Sequence, residues 1–259
     1  MKIVIMQRNI VWSSPQENLR RTQAAMAQLG LCDLLVLPEM FATGFGASPQ
    51  IVAEPAETGA VLTWMKQRAR DLDAAVVGSV AVQDGESFRN RCYFVRPAGE
   101  VSFYDKHHLF ALGGEDAFTA GQRRTIVEWR GVRFMLQVCY DLRFPLWNRN
   151  FEDYDCAIYV ANWPTSRISQ WTALLRARAI ENQCYVVGVN RVGQDPVCSY
   201  NGASAVFHPF GHELATCPLD EEATSAIELD MDALHHYRQK FPVLRERDED
   251  IIKDIKCKM

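Results

Sequence analysis

Phe134-Met135-Leu136-Gln137-Val138-Cys139-Tyr140-Asp141-Leu142-Arg143-Phe144-Pro145 begins as an apolar run, stops at a cysteine, and passes through a polar turn into Phe144-Pro145, which open a short helix. A strand that ends on a reactive side chain and hands over to a helix sets that side chain at the carboxyl end of a sheet. The backbone N–H groups of the turn then face a substrate. Taken alone, Cys139 reads as one more buried small hydrophobe, the usual fate of a free cysteine. Two further stretches reverse that reading: Leu37-Pro38-Glu39-Met40-Phe41 and Tyr104-Asp105-Lys106-His107-His108-Leu109.

Outward from Cys139 the pattern alternates at both ends of the chain. On the amino-terminal side, Lys2 to Arg8 and Asp33 to Leu37 read as buried strands. Pro15 to Leu29 is a helix with Ser13 or Ser14 as its cap, and Gly59 to Asp71 is a second helix. Glu39 to Pro55 reads as a long loop. Closely spaced strands follow at Ala74 to Val82, Asn90 to Arg96 and Val101 to Asp105. An irregular Gly-rich segment runs from Lys106 to Gln122, and a hairpin joins Arg124–Trp129 to Val132–Val138. On the carboxyl side, Pro145 to Phe151 and Ser166 to Asn182 read as helices. Strands are expected at Cys156–Val160, Cys184–Asn190, Ala203–Phe207, Glu213–Cys217 and Ser225–Leu229, then a helix over Met231–Gln239 and a charged tail from Phe241 to Met259. This order suits a layered α/β domain with two packed sheets better than one doubly wound sheet. With no linker or repeat, residues 1–259 are expected to form a single domain.

The 259 residues are 48% hydrophobic and 23% charged, with a formal net charge of -4. No basic patch points to nucleic acid. No apolar run reaches membrane-spanning length, and the amino terminus is too soon interrupted for a signal peptide, so a cytoplasmic location is expected. The eight cysteines include no C-x-x-C pair and read as free thiols. His107 and His108 are adjacent, and Pro209 and Gly211 separate His208 from His212 as a turn, so no metal site is expected.

Glu39, Lys106 and Cys139 each stand just after a predicted strand. Individually, Glu39 is also readable as a solvated loop acid and Lys106 as a surface charge. Together they make a chemical unit. A carboxylate takes the thiol proton, and an ammonium favours the thiolate and then holds the oxyanion formed when sulfur attacks a carbonyl or nitrile carbon. Such a set needs no metal or organic cofactor.

The three stretches, in this order and spacing, resemble the signatures of the nitrilase superfamily of carbon–nitrogen hydrolases. The resemblance implies an α-β-β-α sandwich of two mixed sheets flanked by helices, which dimerises into an α-β-β-α-α-β-β-α stack. It implies Glu39 as base, Lys106 as oxyanion partner, Cys139 as nucleophile, and Glu115 as a positioning acid, with Asp116 as the alternative register. The backbone N–H of Tyr140 is expected to join the oxyanion site. The stretches Ile126–Gly131, Tyr159–Pro164, Ala177–Gln183 and Asn190–Gly193 resemble the ω-amidase branch. That branch hydrolyses the terminal amide of short α-keto acid amides through a cysteine thioester. For the substrate carboxylate Arg143 is a candidate, or else it makes a structural ion pair. Phe41, Trp163 and Tyr200 either wall the pocket or pack the core. The tail after Phe241, with its apolar Phe241-Pro242-Val243-Leu244, is expected at a homodimer interface. Other reactions of the superfamily, a catalytically silent scaffold, and a papain-like thiol hydrolase are the competing readings.

Overall fold

The structure is a computed structural model and describes residues 1–248. Its first half contains β1 (Lys2–Gln7), α1 (Pro15–Met26), β2 (Leu34–Val36), α2 (Pro49–Val52), β3 (Glu54–Pro55), α3 (Ala60–Leu72), β4 (Ala75–Asp84), β5 (Ser87–Val95) and β6 (Val101–Asp105). The second half contains β7 (Ile126–Trp129), β8 (Val132–Val138), α4 (Pro145–Asn148), β9 (Cys156–Val160), α5 (Ile168–Glu181), β10 (Tyr185–Val189), β11 (Val192–Gln194), β12 (Ser199–Asn201), β13 (Ala205–Phe207), β14 (Glu213–Thr216), β15 (Ala223–Glu228) and α6 (Met231–Lys240).

One sheet has the order β15-β1-β2-β4-β5-β6, with β3 added beside β4, and the other has β14-β13-β10-β9-β8-β7. Each is parallel at its centre (β1-β2-β4 and β8-β9-β10) and antiparallel at its flanks. Alternation along the strands sorts the side chains. Ile3, Ile5, Leu34 and Val36 of one sheet meet Phe134, Leu136, Val138 and Ile158 of the other in a core between the sheets. On the outer face of the first sheet, Val4, Met6 and Leu35 pack against Met26 of α1 and Val61, Leu62 and Met65 of α3. On the outer face of the second, Met135, Tyr159 and Val186 pack against Trp171, Leu175 and Ala179 of α5. The layers are therefore α-β-β-α, as the resemblance implies.

Several local expectations are corrected. The long loop after Glu39 holds the one-turn α2 and the two-residue β3. Ser14 occupies the cap position of α1, yet its hydroxyl makes no cap bond. The helix expected over Pro145–Phe151 stops at Asn148. There the Asn148 amide donates to the carbonyls of Asp141 and Phe144, and the Asn150 amide donates to those of Tyr154 and Asn182, so local side chains compete with helical bonding. The ribbon β11–β12, unforeseen in the sequence, is short and spans the Asp195-Pro196 turn. In the tail, Leu244 is buried while Phe241 is exposed, so only part of that apolar patch faces outward. Residues 249–259 of the tail lie outside the described residues.

Candidate active site

Glu39 follows β2, Lys106 follows β6 and Cys139 follows β8, each at a strand's carboxyl end. The fold brings all three together. Lys106 Nζ donates to Glu39 Oε1 at 3.0 Å and to Glu115 Oε2 at 2.7 Å. Glu39, Lys106 and Glu115 are all at most 1% exposed. Cys139 stands beside them, half-buried, close enough that Glu39, Lys106 and Glu115 all act on its thiol. Asp116 is exposed, and Glu115 is the acid that meets Lys106.

Two asparagines complete the cluster. The Asn90 amide on β5 donates to Glu39 Oε1 at 2.9 Å and to Glu115 Oε1 at 3.0 Å. Asn162, just after β9, donates its backbone N–H to Glu39 Oε2 at 2.8 Å and its side-chain amide to the Glu39 carbonyl at 2.6 Å. Glu39 Oε1 thus accepts from two donors, whereas Oε2 has one short bond and a long one of 3.4 Å to the Asn162 amide. Oε2 keeps capacity for a further proton.

Backbone geometry matches these roles. Cys139 and Met40 both adopt left-handed conformations, with φ 46° and 47°. The first turns the thiol out of the strand at the start of a 3₁₀ turn over Cys139–Arg143. The leading N–H groups of such a turn, Tyr140's among them, have no carbonyl within the turn to bond. Asp141 fastens the Lys106 loop to this elbow. Its carboxylate accepts from Tyr104 Oη at 2.9 Å, from the backbone N–H groups of Val138 and His108 at 3.0 and 2.9 Å, and pairs with His108 Nδ1 at 2.9 Å. His107 and His108 in turn stack on Trp147 and Phe144. From the helix layer, Arg178 donates twice to the Leu142 carbonyl.

The electrostatics are unequal. Two carboxylates surround one ammonium. Burial pushes the Cys139 thiol well above its ordinary value, Glu39 adds to this, and Lys106 only partly offsets it. Lys106 thus favours the thiolate, as expected, but burial and Glu39 outweigh it and favour the thiol. Burial opposes the charge on Lys106, but Glu115, Glu39 and Cys139 outweigh it and hold the ammonium above its ordinary range. The set is suited to concerted chemistry, in which sulfur loses its proton to Glu39 as it attacks.

A cavity of about 550 Å³ opens over Cys139, and Tyr140, Arg143, Trp163 and Tyr200 border it. Arg143 lies 4.7 Å from the Trp163 ring centroid and donates to Gln170 at 2.6 Å, with no ion pair to an acid among the described residues. Trp163 is fixed by Asn190, whose side chain accepts from its N–H and donates to its carbonyl. Phe41 is corrected: it is 2% exposed and packs on Trp64 within the outer core, away from the cavity. Gly78 leaves room for it, since a Cβ there would stand 2.9 Å from the Phe41 ring. The aromatic that reaches the site from this loop is Phe45, which lines the cavity with its ring 5.3 Å from Lys106 Nζ. Asn90 and Asn162 were not foreseen. The strand end at Ala161-Asn162 carried the same positional signal as Cys139, whereas Asn90 lies within a strand and gave none.

The sequence profile of the carbon–nitrogen hydrolase family matches residues 2–239. The chain is 45% identical to an omega-amidase, YafV, of Escherichia coli strain K12 over 251 residues, which cover 96% of this chain and 97% of that one. It is 32% identical to a 2-oxoglutaramate amidase of Bacillus subtilis over 259 residues, covering 98% of each. Among solved structures, a CN-hydrolase superfamily protein of Xanthomonas campestris, with an arsenic adduct in its active site, superposes with a TM-score of 0.91 at 38% identity, covering 96% of this chain and 97% of that one. Fold, buried cluster and near full-length similarity agree, and the chain belongs to the carbon–nitrogen hydrolase family.

Proposed function

We propose that this chain is an ω-amidase that hydrolyses the terminal amide of short α-keto acid amides, such as 2-oxoglutaramate and 2-oxosuccinamate, to the keto dicarboxylate and ammonia. The observation that carries the reading is the buried Glu39–Lys106–Glu115 cluster beneath a thiol at the floor of a cavity bordered by Arg143. The relatives' names support the substrate class.

Glu39 Oε2 accepts the Cys139 proton as sulfur bonds to the amide carbon. Lys106 Nζ and the Tyr140 N–H hold the resulting oxyanion. The C–N bond breaks as Glu39 returns the proton to nitrogen, and ammonia leaves a thioester on Cys139. Glu39 then deprotonates a water, whose oxygen attacks the thioester carbon. The C–S bond breaks, sulfur regains a proton from Glu39, and the acid departs. Glu115 holds Lys106 in place. Arg143 meets the substrate carboxylate, with Trp163 and Tyr200 as walls.

The chain works as one domain over residues 1–259, in the cytoplasm, and as a homodimer. Both sheets supply parts of the site, which favours a single unit. Exposed Ile180 and Phe210 lie beside the exposed Phe241, linked through the Tyr237 ring, and offer an apolar face for a second copy. The test of function is steady-state ammonia release from 2-oxoglutaramate, a simple nitrile and an N-carbamoyl amino acid, with Cys139→Ala as control. Turnover of the ω-amide, abolished in the control, is expected. Preference for the nitrile or the carbamoyl compound would overturn the assignment.

A further inference from the structure

Arg143 is one of two arginines on this cavity; the other is Arg167. Arg167 ends the 3₁₀ turn Thr165–Arg167 that leads into α5. Its guanidinium reaches across to the Lys106 loop, 5.6 Å from the ring centroid of Phe110. Phe110 is itself anchored, because its N–H donates to Glu115 Oε2 at 2.7 Å and its ring packs on Tyr140. Trp163 lies between the two arginines as a common brace. Arg143 sits over its face, and its indole N–H donates to the Arg167 carbonyl at 2.8 Å. Neither guanidinium forms an ion pair with an acid among the described residues; their contacts are an amide and aromatic faces.

This charge arrangement is unusual for a cavity whose other lining is mostly apolar. The acid that also lines it, Asp195, is already satisfied: one oxygen accepts from Tyr200 Oη at 2.6 Å, the other from the N–H groups of Val197 and Cys198 at 2.8 and 2.7 Å. The buried cluster beneath Cys139 carries two carboxylates against one ammonium, which repels an anionic substrate. Two guanidiniums without a counter-charge oppose that repulsion. Each presents N–H groups suited to bidentate binding of a carboxylate.

We propose that Arg167 is a specificity-determining residue that, with Arg143, forms a two-arginine clamp for the anionic end of the substrate. The clamp selects amides whose acyl chain ends in a carboxylate, with an adjacent carbonyl oxygen as a second acceptor, over neutral amides of the same length. This rests on the ω-amidase reading and names what in the cavity enforces it. The clamp acts on binding, so its loss raises KM more than it lowers kcat.

The test compares Arg167→Ala, Arg167→Lys and the unaltered protein on 2-oxoglutaramate and on a neutral primary amide of equal chain length. In Arg167→Ala the ratio of kcat/KM for the anionic over the neutral amide is expected to fall roughly ten- to hundredfold, the range for losing a hydrogen bond to a charged group. The loss should appear mainly in KM for the anionic amide, and Arg167→Lys should recover part of it. A ratio unchanged from the unaltered protein would overturn the proposal, as would an equal loss on both substrates. Failure of the ω-amidase reading looks different: the unaltered protein itself would then show no preference for the anionic amide.

Discussion

Lys106 is the one cation among three buried groups that carry or generate negative charge. Replacing it with alanine has two separable consequences. Loss of the proposed oxyanion donor is expected to lower kcat by roughly a hundred- to thousandfold. Glu39 and Glu115, both fully buried, also lose their shared counter-charge. Stranding one side of a buried ion pair costs about 3–5 kcal/mol. Lys106→Ala should therefore show both the kinetic loss and a lowered Tm, measured by single-turnover kinetics below the transition and by calorimetry. Near-normal turnover would contradict the role. Glu39 illustrates how one residue is specified from several directions, since it takes donors from Lys106, Asn90 and Asn162. Its two oxygens are therefore inequivalent, and only Oε2 fits the proposed proton transfer.

At the scale of elements, the turn after β8 and the loop after β6 act as one part because Asp141 joins them. Asp141→Asn keeps the shape but replaces one acceptor oxygen with a donor, which then faces either the Val138 N–H and Tyr104 Oη or the His108 N–H, groups that already donate. Buried donors left unpaired cost about 1–3 kcal/mol each. The expected outcome is a lowered Tm together with a fall in kcat, as the Lys106 loop drifts from the Cys139 elbow; unchanged kcat would show that the loop holds its place without Asp141. The strand-then-reactive-residue pattern at Glu39, Lys106 and Cys139 was legible in sequence because an apolar run that halts at a polar group is a local signal. The layering was legible for the same reason, through alternation such as Phe134, Leu136 and Val138 against Met135. What was not legible depends on approach between distant segments. Asn90 is marked only by its place opposite Glu115. Phe41 and Phe45 share one loop and one side-chain type, and the packing of Phe41 over Gly78 decides which faces the cavity. The early stop of α4 rests on hydrogen bonds that Asn148 makes across the turn.

At the scale of the whole molecule, burial holds many thiols protonated. Desolvation pushes Cys217 up to about 11 and Cys184 up to about 12, and raises Cys92, Cys139 and Cys156 as well. A thiol whose folded pKa exceeds its unfolded value of about 8.5 stabilises the fold fully below that pH. The contribution is lost as pH rises toward the folded value, at about 1.4 kcal/mol per pH unit for each thiol. Tm is therefore expected to decline steeply from about pH 8.5 upward, with Cys217→Ala declining less; a Tm independent of pH across that window would refute the linkage. For the proposed homodimer, Phe210→Glu places a charge in the exposed apolar face, and the expected result is a monomer by sedimentation, whereas an unchanged mass would locate the interface elsewhere. The contact between Glu39 and Asn162 has one more consequence, for synthesis on the ribosome. Glu39 emerges early and Asn162 follows 123 residues later. A nascent chain that has released only β1 to β6 holds Glu39 and Lys106 but neither Cys139 nor Asn162. Hydrolytic competence should switch on late in translation. Two separately expressed fragments, cut near Arg123 between β6 and β7, should each be inert and regain turnover only on recombination.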